Sequence, residues 1–223
     1  MPSEERSDCC KDSQNEFEDQ TLKLKTQVDM ARIVVGVSGA SGIVLAIKAV
    51  SALGELGHDI ELVVTKHGFH TAAYELGKEY ASPNMFLQKL SEEGRKRVRL
   101  HAIQDMGAAI CSGSFLTLGM LIIPCSMATV AAVSLGLSDN CLRRAADVTL
   151  KEKRPLILVP RESPLSEIHL ENMLRLARLG ASILPPVPAW YNGMQSMDEI
   201  ENFIVGKALD LFKIEHTLYK RWA

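Results

Sequence analysis

The stretch Ile33-Val34-Val35-Gly36-Val37-Ser38-Gly39-Ala40-Ser41-Gly42 determines how this chain of 223 residues begins to fold. Its first five residues are β-branched apart from one glycine, which is typical of a buried strand. Three glycines at a spacing of three then predict a tight turn, and a helical pattern of apolar residues follows over 43–56. A strand, a glycine turn and a helix in this order indicate the start of a parallel α/β sheet.

The same alternation of strands and helices continues along the chain. Further strands are predicted at 60–64, 120–123, 156–159 and 182–184. Helices are predicted at about 68–76, from 126 through about 135, over 143–154, near 166–179 and at 197–212, whereas 83–99 is predicted to be a looser connection. This order predicts an α/β fold: a single domain with a Rossmann-like (flavodoxin-like), mostly parallel sheet and helices on both faces.

Composition and charge exclude several classes of protein. Formal net charge is -2 and 47% of residues are hydrophobic, so no overall basic field favours nucleic acid. No apolar run reaches the roughly 18 residues that a membrane span requires, so we expect no membrane segment. The five cysteines are odd in number and lack paired metal spacing, which predicts free thiols, no zinc and a cytoplasmic location.

The first 29 residues differ from the rest. They contain eight acidic and four basic residues and few large apolar ones, so they cannot bury enough surface to offset chain entropy. We therefore predict a disordered N-terminal tail over 1–29 and a folded domain over 30–223.

Polar motifs fall where four of the predicted strands end. They are Gly39 to Gly42, Thr65-Lys66, Pro124 to Ser126 and Arg161-Glu162. Because ligands of such sheets bind beyond the carboxyl ends of the strands, these motifs are expected to share one site. The charged helix pattern over 143–154 leads into Arg161-Glu162, so we expect its cations and this carboxylate at one rim, beside an anionic ligand.

The glycine turn favours a phosphate, because backbone and helix N-terminus can approach it closely. A dinucleotide site would also need an acidic residue after the second strand, where Thr65 and Lys66 stand. The sequence therefore favours a mononucleotide or another phosphorylated ligand over NAD.

Several candidate residues also have ordinary structural interpretations. Ser126 and Thr129 have the residue types of helix caps, and Cys125 is expected to be a small buried thiol. His67 and His70 are expected to be structural or surface residues. Glu75 would ordinarily be a solvated acid.

Taken in order, the motifs resemble those of the UbiX-type flavin prenyltransferases from about residue 31 to the C-terminus. The matching segments are Gly39-Ala40-Ser41-Gly42, Ser112-Gly113-Ser114, Pro124-Cys125-Ser126, Arg144-Ala145-Ala146-Asp147-Val148, Leu150-Lys151-Glu152, Val159-Pro160-Arg161-Glu162, the prolines at 185–188, and Tyr191. The resemblance implies transfer of a dimethylallyl group from its monophosphate to N5 and C6 of reduced FMN, without a metal. It also implies that a UbiD-type decarboxylase uses the prenylated flavin.

The resemblance assigns roles to individual residues. FMN would be held by Gly39, Ala40, Ser41, Thr65, Ser126, Thr129 and Arg144. The prenyl phosphate would be bound by Lys151, Arg161, Tyr191, Lys207 and Trp222. The catalytic group would comprise Glu75, Glu162, Lys151 and Ser41. This interpretation requires Lys151 and Arg161 to lie near each other.

The resemblance further implies a homo-oligomer, commonly a dodecamer built of trimers, in which Tyr191, Lys207 and Trp222 complete a neighbour's site. Two positions depart from the family pattern: Met106 replaces an aromatic residue of some members, and Lys207 stands where others carry arginine. Two alternatives stay open, an FMN-dependent cysteine-type decarboxylase of the same fold and a non-catalytic flavin-carrying subunit of a decarboxylase.

Overall fold

The computed structural model describes residues 31–222. This part of the chain contains one parallel sheet with the strands β1 (Arg32–Val37), β2 (Asp59–Val64), β3 (Val98–His101), β4 (Gly119–Cys125), β5 (Leu156–Pro160) and β6 (Ser182–Ile183). Their order is β3-β2-β1-β4-β5-β6, which is the Rossmann arrangement. The fold prediction is confirmed. The chain reverses its direction of growth between β1 and β4, so a ligand crevice is expected at the carboxyl ends of these two strands.

Eight α-helices connect the strands within the described residues: α1 (Ile43–Glu55), α2 (Lys66–Glu75), α3 (Pro83–Gln88), α4 (Glu92–Arg97), α5 (Met127–Ser134), α6 (Cys141–Lys151), α7 (Glu167–Arg178) and α8 (Met197–Leu211). Polar N-cap side chains begin most of them; Asn140 and Ser196, for example, each accept a hydrogen bond from the backbone three residues on. The predicted helices are confirmed to within a few residues at their ends.

The prediction of a loose connection over 83–99 is wrong. This segment forms α3 and α4 and then enters β3 at the edge of the sheet. Both helices have six residues and β3 has four, with Arg99 exposed, so no sustained apolar pattern marks them in the sequence.

Two apolar layers cover the two faces of the sheet. Ile33 and Val35 of β1 pack into the layer that contains α1 and α8, whereas Val34 packs into the layer that contains α5, α6 and α7. Because side chains alternate between faces, a strand covered on both sides reads as a continuous apolar run. No helix in 31–222 is long and apolar enough to cross a membrane. The predicted tail over 1–29 lies outside the described residues.

Helices α1 and α4 approach each other through glycine. A Cβ atom placed on Gly54 of α1 would lie 2.5 Å from the Cα atom of Gly94 in α4. Backbone atoms fill this space, so it cannot be relieved by rotating a side chain. The packing of α4, and through it the position of β3, depends on these two small residues.

We therefore expect Gly54→Ala to destabilise the protein by about 1 to 3 kcal/mol through overpacking. Thermal or urea unfolding would measure this loss, with Gly107→Ala as control, because the new Cβ there meets only Asp105 Oδ1 at 3.4 Å. Alanine in place of a helical glycine ordinarily stabilises by up to about 1 kcal/mol, so a more stable Gly54 variant would contradict the packing described.

Candidate functional site

The carboxyl ends of β1 and β4 are joined by the buried side chain of Ser38. Its hydroxyl donates to the Pro124 carbonyl at 3.2 Å and accepts from the Ser126 backbone N–H at 2.7 Å. The Ser38 N–H donates to the same carbonyl at 3.1 Å. The glycine turn after β1 and the helix start after β4 are thereby fixed beside each other, as the sequence predicted for these motifs.

The Glu75 carboxylate caps the N-terminus of α1. The N–H of Gly42 donates to both of its oxygens at 2.9 and 3.2 Å, and the N–H of Ile43 donates to one of them at 2.8 Å. Gly42 is the N-cap residue, with φ of 106°, and has no side chain to satisfy these groups itself. The sequence placed a phosphate at this helix N-terminus, but a carboxylate from the end of α2 takes its hydrogen bonds.

The hydroxyls at the neighbouring strand ends are helix caps. Thr65 Oγ1 accepts from the N–H of Gly68 at 3.0 Å, and Ser126 Oγ accepts from the N–H of Thr129 at 3.3 Å. Thr129 is buried, with its own hydroxyl 3.1 Å from that of Ser126. The capping interpretation of Ser126 is confirmed, and the half-buried hydroxyls of Thr65 and Ser126 line the same crevice edge.

Two further groups at this edge have no side-chain partner among the described residues. The hydroxyl of Ser41 lies within the glycine turn, and the exposed guanidinium of Arg161 follows directly after β5. The N–H of Arg161 donates to the Cys125 carbonyl at 3.2 Å, so its backbone is tied to the end of β4. Glu162, the next residue, is also exposed. These groups are available to an anionic ligand.

Lys151 lies at the other end of the strands, where their amino ends are. It is the last residue of α6, which runs back to the amino end of β5, whereas Arg161 follows the carboxyl end of that strand. Five strand residues span about 16 Å. The Lys151 ammonium forms an ion pair with Glu152, and both side chains lie next to Gly113. Arg154 NH2 donates to the Gly113 carbonyl at 2.7 Å. The prediction that Lys151 shares one rim with Arg161 is therefore wrong within a single chain.

Lys207, Tyr191 and Trp222 form a third group, on the side of α8. The rings of Tyr191 and Trp222 meet edge to face, with centroids 5.4 Å apart. Lys207 Nζ lies 3.4 Å from Asp210 Oδ2. Arg144, in the second turn of α6, forms an ion pair with Asp147 at 2.6 Å and is partly exposed. The predicted residues are thus present in three groups rather than one.

The three cysteines in residues 31–222, Cys111, Cys125 and Cys141, are buried free thiols. Cys125 is buried, and burial raises the pKa of its thiol far above the ordinary value, which confirms the structural interpretation. His67 and His70 are exposed on α2, as expected for surface residues. Residues 31–222 contain no group of three or more side chains suited to bind a metal ion.

The donors at the β1–β4 crevice match the chemistry of a flavin mononucleotide. Hydroxyls from Ser41, Thr65 and Ser126 and the cation of Arg161 can bind a phosphate and a polar heterocycle edge. Gly39 packs against α2 so closely that a Cβ on it would lie 2.4 Å from that of His67, which keeps the turn flat against its neighbour. The lack of a side chain at Gly39 therefore lets the turn lie directly against α2.

Comparisons with known proteins identify the family of the chain. The chain matches the Flavoprotein family over residues 21–209. It is 51% identical over 193 residues to the flavin prenyltransferase UbiX of Chlamydia trachomatis serovar D, covering 86% of this chain and 98% of that protein. The chain is a member of the UbiX flavin prenyltransferase family.

Solved structures of UbiX proteins extend this result to three dimensions. The crystal structure of AnUbiX (PadA1) in complex with FMN and dimethylallyl pyrophosphate is 42% identical, with a TM-score of 0.79 over 87% of this chain and 98% of that chain. A dodecameric FMN-dependent UbiX-like decarboxylase from Escherichia coli O157:H7 is 41% identical, with a TM-score of 0.76 over 86% and 99% of the two chains. The fold is thus shared over nearly the whole length of these UbiX chains.

Two features of this UbiX site escaped the sequence analysis. Ser38 was not singled out, although a polar residue directly after an apolar strand run is a usable signal for a buried strand tie. The capping role of Glu75 has a weaker signal: Gly42 at the helix start leaves the N–H groups of α1 without a local acceptor.

We expect Ser38→Ala to cost about 1 to 3 kcal/mol of unfolding free energy, because it leaves the partly buried N–H of Ser126 without its acceptor. Urea unfolding at fixed protein concentration would measure the loss, and flavin affinity should fall with it. Ser138→Ala is the control, since the Ser138 hydroxyl is exposed and makes one contact of 3.5 Å. Equal stability of the two variants would show that Ser38 does not tie β1 to β4.

Proposed function

We propose that this protein joins a dimethylallyl group to N5 and C6 of reduced FMN, without a metal ion, using dimethylallyl monophosphate as donor. The observation that carries the proposal is the fixed Glu75 carboxylate, held by α1 beside the free Ser41 hydroxyl, in a crevice lined with donors for FMN. The identity of 51% to a flavin prenyltransferase over nearly that protein's whole length supports it.

Each group at the crevice has a part in this chemistry. Reduced FMN supplies the nucleophilic nitrogen and carbon, and the prenyl phosphate supplies an allylic electrophile. Arg161 and Lys151 stabilise the negative charge that develops on the departing phosphate. The aromatic rings of Tyr191 and Trp222 suit the cation-like prenyl carbon.

Carboxylates serve the second bond to the flavin. The bond from C6 to the tertiary prenyl carbon forms as the neighbouring alkene carbon gains a proton, which the released phosphate can supply, and C6 then loses its own proton to Glu75, Glu162 or the phosphate. Glu75 cannot swing freely, because three hydrogen bonds from α1 hold it. Ser41, adjacent to Gly42 in the same turn, orients the reacting groups, while Thr65, Ser126, Thr129 and Arg144 hold the flavin.

We further propose that the site is completed by neighbouring copies of the chain. Lys151 is separated from Arg161 by the length of β5, so the two cations reach one phosphate only if different chains supply them. The dodecameric Escherichia coli structure supports such an assembly. So do large apolar side chains on the outer face of α7, where Ile168 is 67% and Leu174 51% exposed. Tyr191, Lys207 and Trp222 contribute to a neighbour's site in the same way.

The product is expected to serve a UbiD-type decarboxylase, and residues 30–223 to form the catalytic domain. A cytoplasmic location is consistent with the three free thiols of the described residues. Of the alternatives, a cysteine-type decarboxylase would carry an asparagine motif where Ser112-Gly113-Ser114 stands. A flavin carrier would need no second set of phosphate-binding cations.

The direct test is anaerobic incubation with reduced FMN and dimethylallyl monophosphate, with the pyrophosphate in a parallel arm, followed by mass analysis of the flavin. We expect the flavin to gain one prenyl unit. Glu75→Gln should lower turnover by about 100-fold or more, because a positioned acid or base contributes at least that factor. FMN should still bind to this variant, since the amide oxygen can accept from α1.

The matched control is Glu79→Gln, an exposed carboxylate in the short 3-10 helix Lys78–Ala81, which should retain wild-type turnover. An unchanged flavin mass with the wild-type protein, while FMN binds normally, would reject prenyl transfer. Loss of FMN binding in Glu75→Gln would instead assign Glu75 a structural role.

Shared sites can be tested by mixing inactive subunits. A Lys151→Met chain and a Glu75→Gln chain, each inactive alone, would be coexpressed with different tags and purified through both. If Glu75 and Lys151 of one site come from different chains, random assembly makes about one site in four wild type, so about a quarter of the activity should return. Activity no higher than that of the parent variants would place both residues in the same chain's site and overturn the shared arrangement.

A further inference from the structure

One carboxylate near the end of α8 gathers four polar side chains. Asp210 Oδ1 accepts a hydrogen bond from Arg221 NH2 at 2.7 Å and lies 3.2 Å from His216 Nε2. Its Oδ2 accepts from the Tyr219 hydroxyl and lies 3.4 Å from Lys207 Nζ. The segment that follows α8 is therefore folded back onto the helix, where Asp210 binds three of its side chains and the His216 ring also lies 3.0 Å from the Gly206 carbonyl.

The contacts within this cluster shift the pKa values of Asp210 and Tyr219 in opposite directions. Burial acts to raise the pKa of Asp210, but the hydrogen bonds from Tyr219 and Arg221 outweigh it and hold the pKa at about 2. Burial and the neighbouring carboxylate raise the pKa of Tyr219 to about 12. At neutral pH the Asp210 carboxylate is therefore charged and the Tyr219 hydroxyl is a donor. Arg221 and Lys207 both keep Asp210 as their partner.

Arg221 retains donors that nothing in the described part of the chain uses. Only its NH2 group is hydrogen-bonded, while NH1 and Nε have no hydrogen-bond partner in residues 31–222. Its guanidinium lies over the Tyr219 ring at 5.5 Å, and its side chain is 55% exposed. One edge of the guanidinium is therefore anchored, and the other is free to bind a ligand.

Arg221 is one of the residues that line a small cavity. The cavity has a volume of about 270 Å³ and is lined by Tyr191, Asn192, Lys220, Arg221 and Trp222. Two aromatic rings and two cations around a space of this size suit a short apolar chain with an anionic head. Tyr191 and Trp222 are residues that the proposed function already assigns to the prenyl donor.

The chemistry of Lys207 leaves a part of the phosphate site unfilled. Lysine offers a point charge, whereas an arginine, which the family resemblance implies at this position, can bind two phosphate oxygens with a planar fork. Arg221 shares the Asp210 carboxylate with Lys207, so the two cations are neighbours. Arg221 thus places a planar guanidinium beside Lys207.

We propose that Arg221 binds the phosphate of the prenyl donor together with Lys207, and that Asp210 is the positioning residue that holds both cations. This inference rests on the proposed function. Lys207, Lys220 and Arg221 outnumber Asp210, which leaves a net positive charge for the phosphate even with Glu215 acting on Arg221 from nearby. The site takes a small phosphomonoester or pyrophosphate with a short apolar tail.

The test is steady-state kinetics of Arg221→Met with dimethylallyl monophosphate varied at saturating reduced FMN. The KM for the prenyl donor should rise about tenfold or more, because hydrogen bonds to charged groups are worth at least that factor. The Kd for FMN and the kcat should change less than about twofold. Lys207→Arg in the Arg221→Met background should recover most of the lost donor affinity, since it restores a planar fork beside Asp210.

Arg95→Met is the control, an exposed arginine on α4 that should leave all constants unchanged. If Arg221 merely anchors the chain end, Lys207→Arg would not rescue the donor KM, and the inference fails. It also fails if Arg221→Met has the wild-type donor KM while the wild-type protein prenylates FMN. Absence of prenylation by the wild-type protein would instead remove the proposed function itself.

Discussion

The tie between β1 and β4 through Ser38 is the constraint on which the crevice depends. The ends of parallel strands are positioned by the last hydrogen bonds between them. In this sheet, hydrogen bonds between neighbouring strands continue past the last paired strand residues. Ser38 joins the two central strands, the N–H of Thr65 donates to the Val37 carbonyl at 2.9 Å, and that of Arg161 donates to the Cys125 carbonyl at 3.2 Å. Four strand ends are thereby held in one row, and the motif after each strand inherits its position.

The glycine turn packs closely against its neighbours but has no side chain that could cap α1. The Glu75 carboxylate supplies the missing hydrogen-bond acceptor. A serine or aspartate in place of Gly42 would satisfy α1 by itself but does not readily adopt φ of 106°. Since α1 needs an acceptor from elsewhere, its N-terminus fixes a carboxylate that comes from another helix. This need explains why an exposed glutamate is so firmly positioned.

Much of this arrangement could be predicted from the sequence, because strands buried on both faces read as apolar runs and motifs after parallel strands share an edge. β1, β2, β4 and β5 were found in this way, together with the residues that follow them. β3 was not, since a four-residue edge strand with an exposed Arg99 has no such pattern. Lys151 was wrongly predicted to lie beside Arg161, because the charged helix leads along the chain into the strand that precedes Arg161. The two residues stand at opposite ends of that strand, β5.

The distribution of cations over three places explains why one chain looks like an incomplete enzyme. Arg161 stands at the crevice, Lys151 at the far edge of the sheet, and Lys207 with Arg221 beyond α8. Each is paired with a carboxylate or exposed to water, so the separate chain carries no cluster of like charge that would repel itself. In the proposed shared site, these groups would meet only when subunits pack around an anionic ligand, which would avoid a concentrated positive field in the unassembled protein. Such a site accounts for cations that are dispersed in one chain, each held by a local partner or a backbone hydrogen bond.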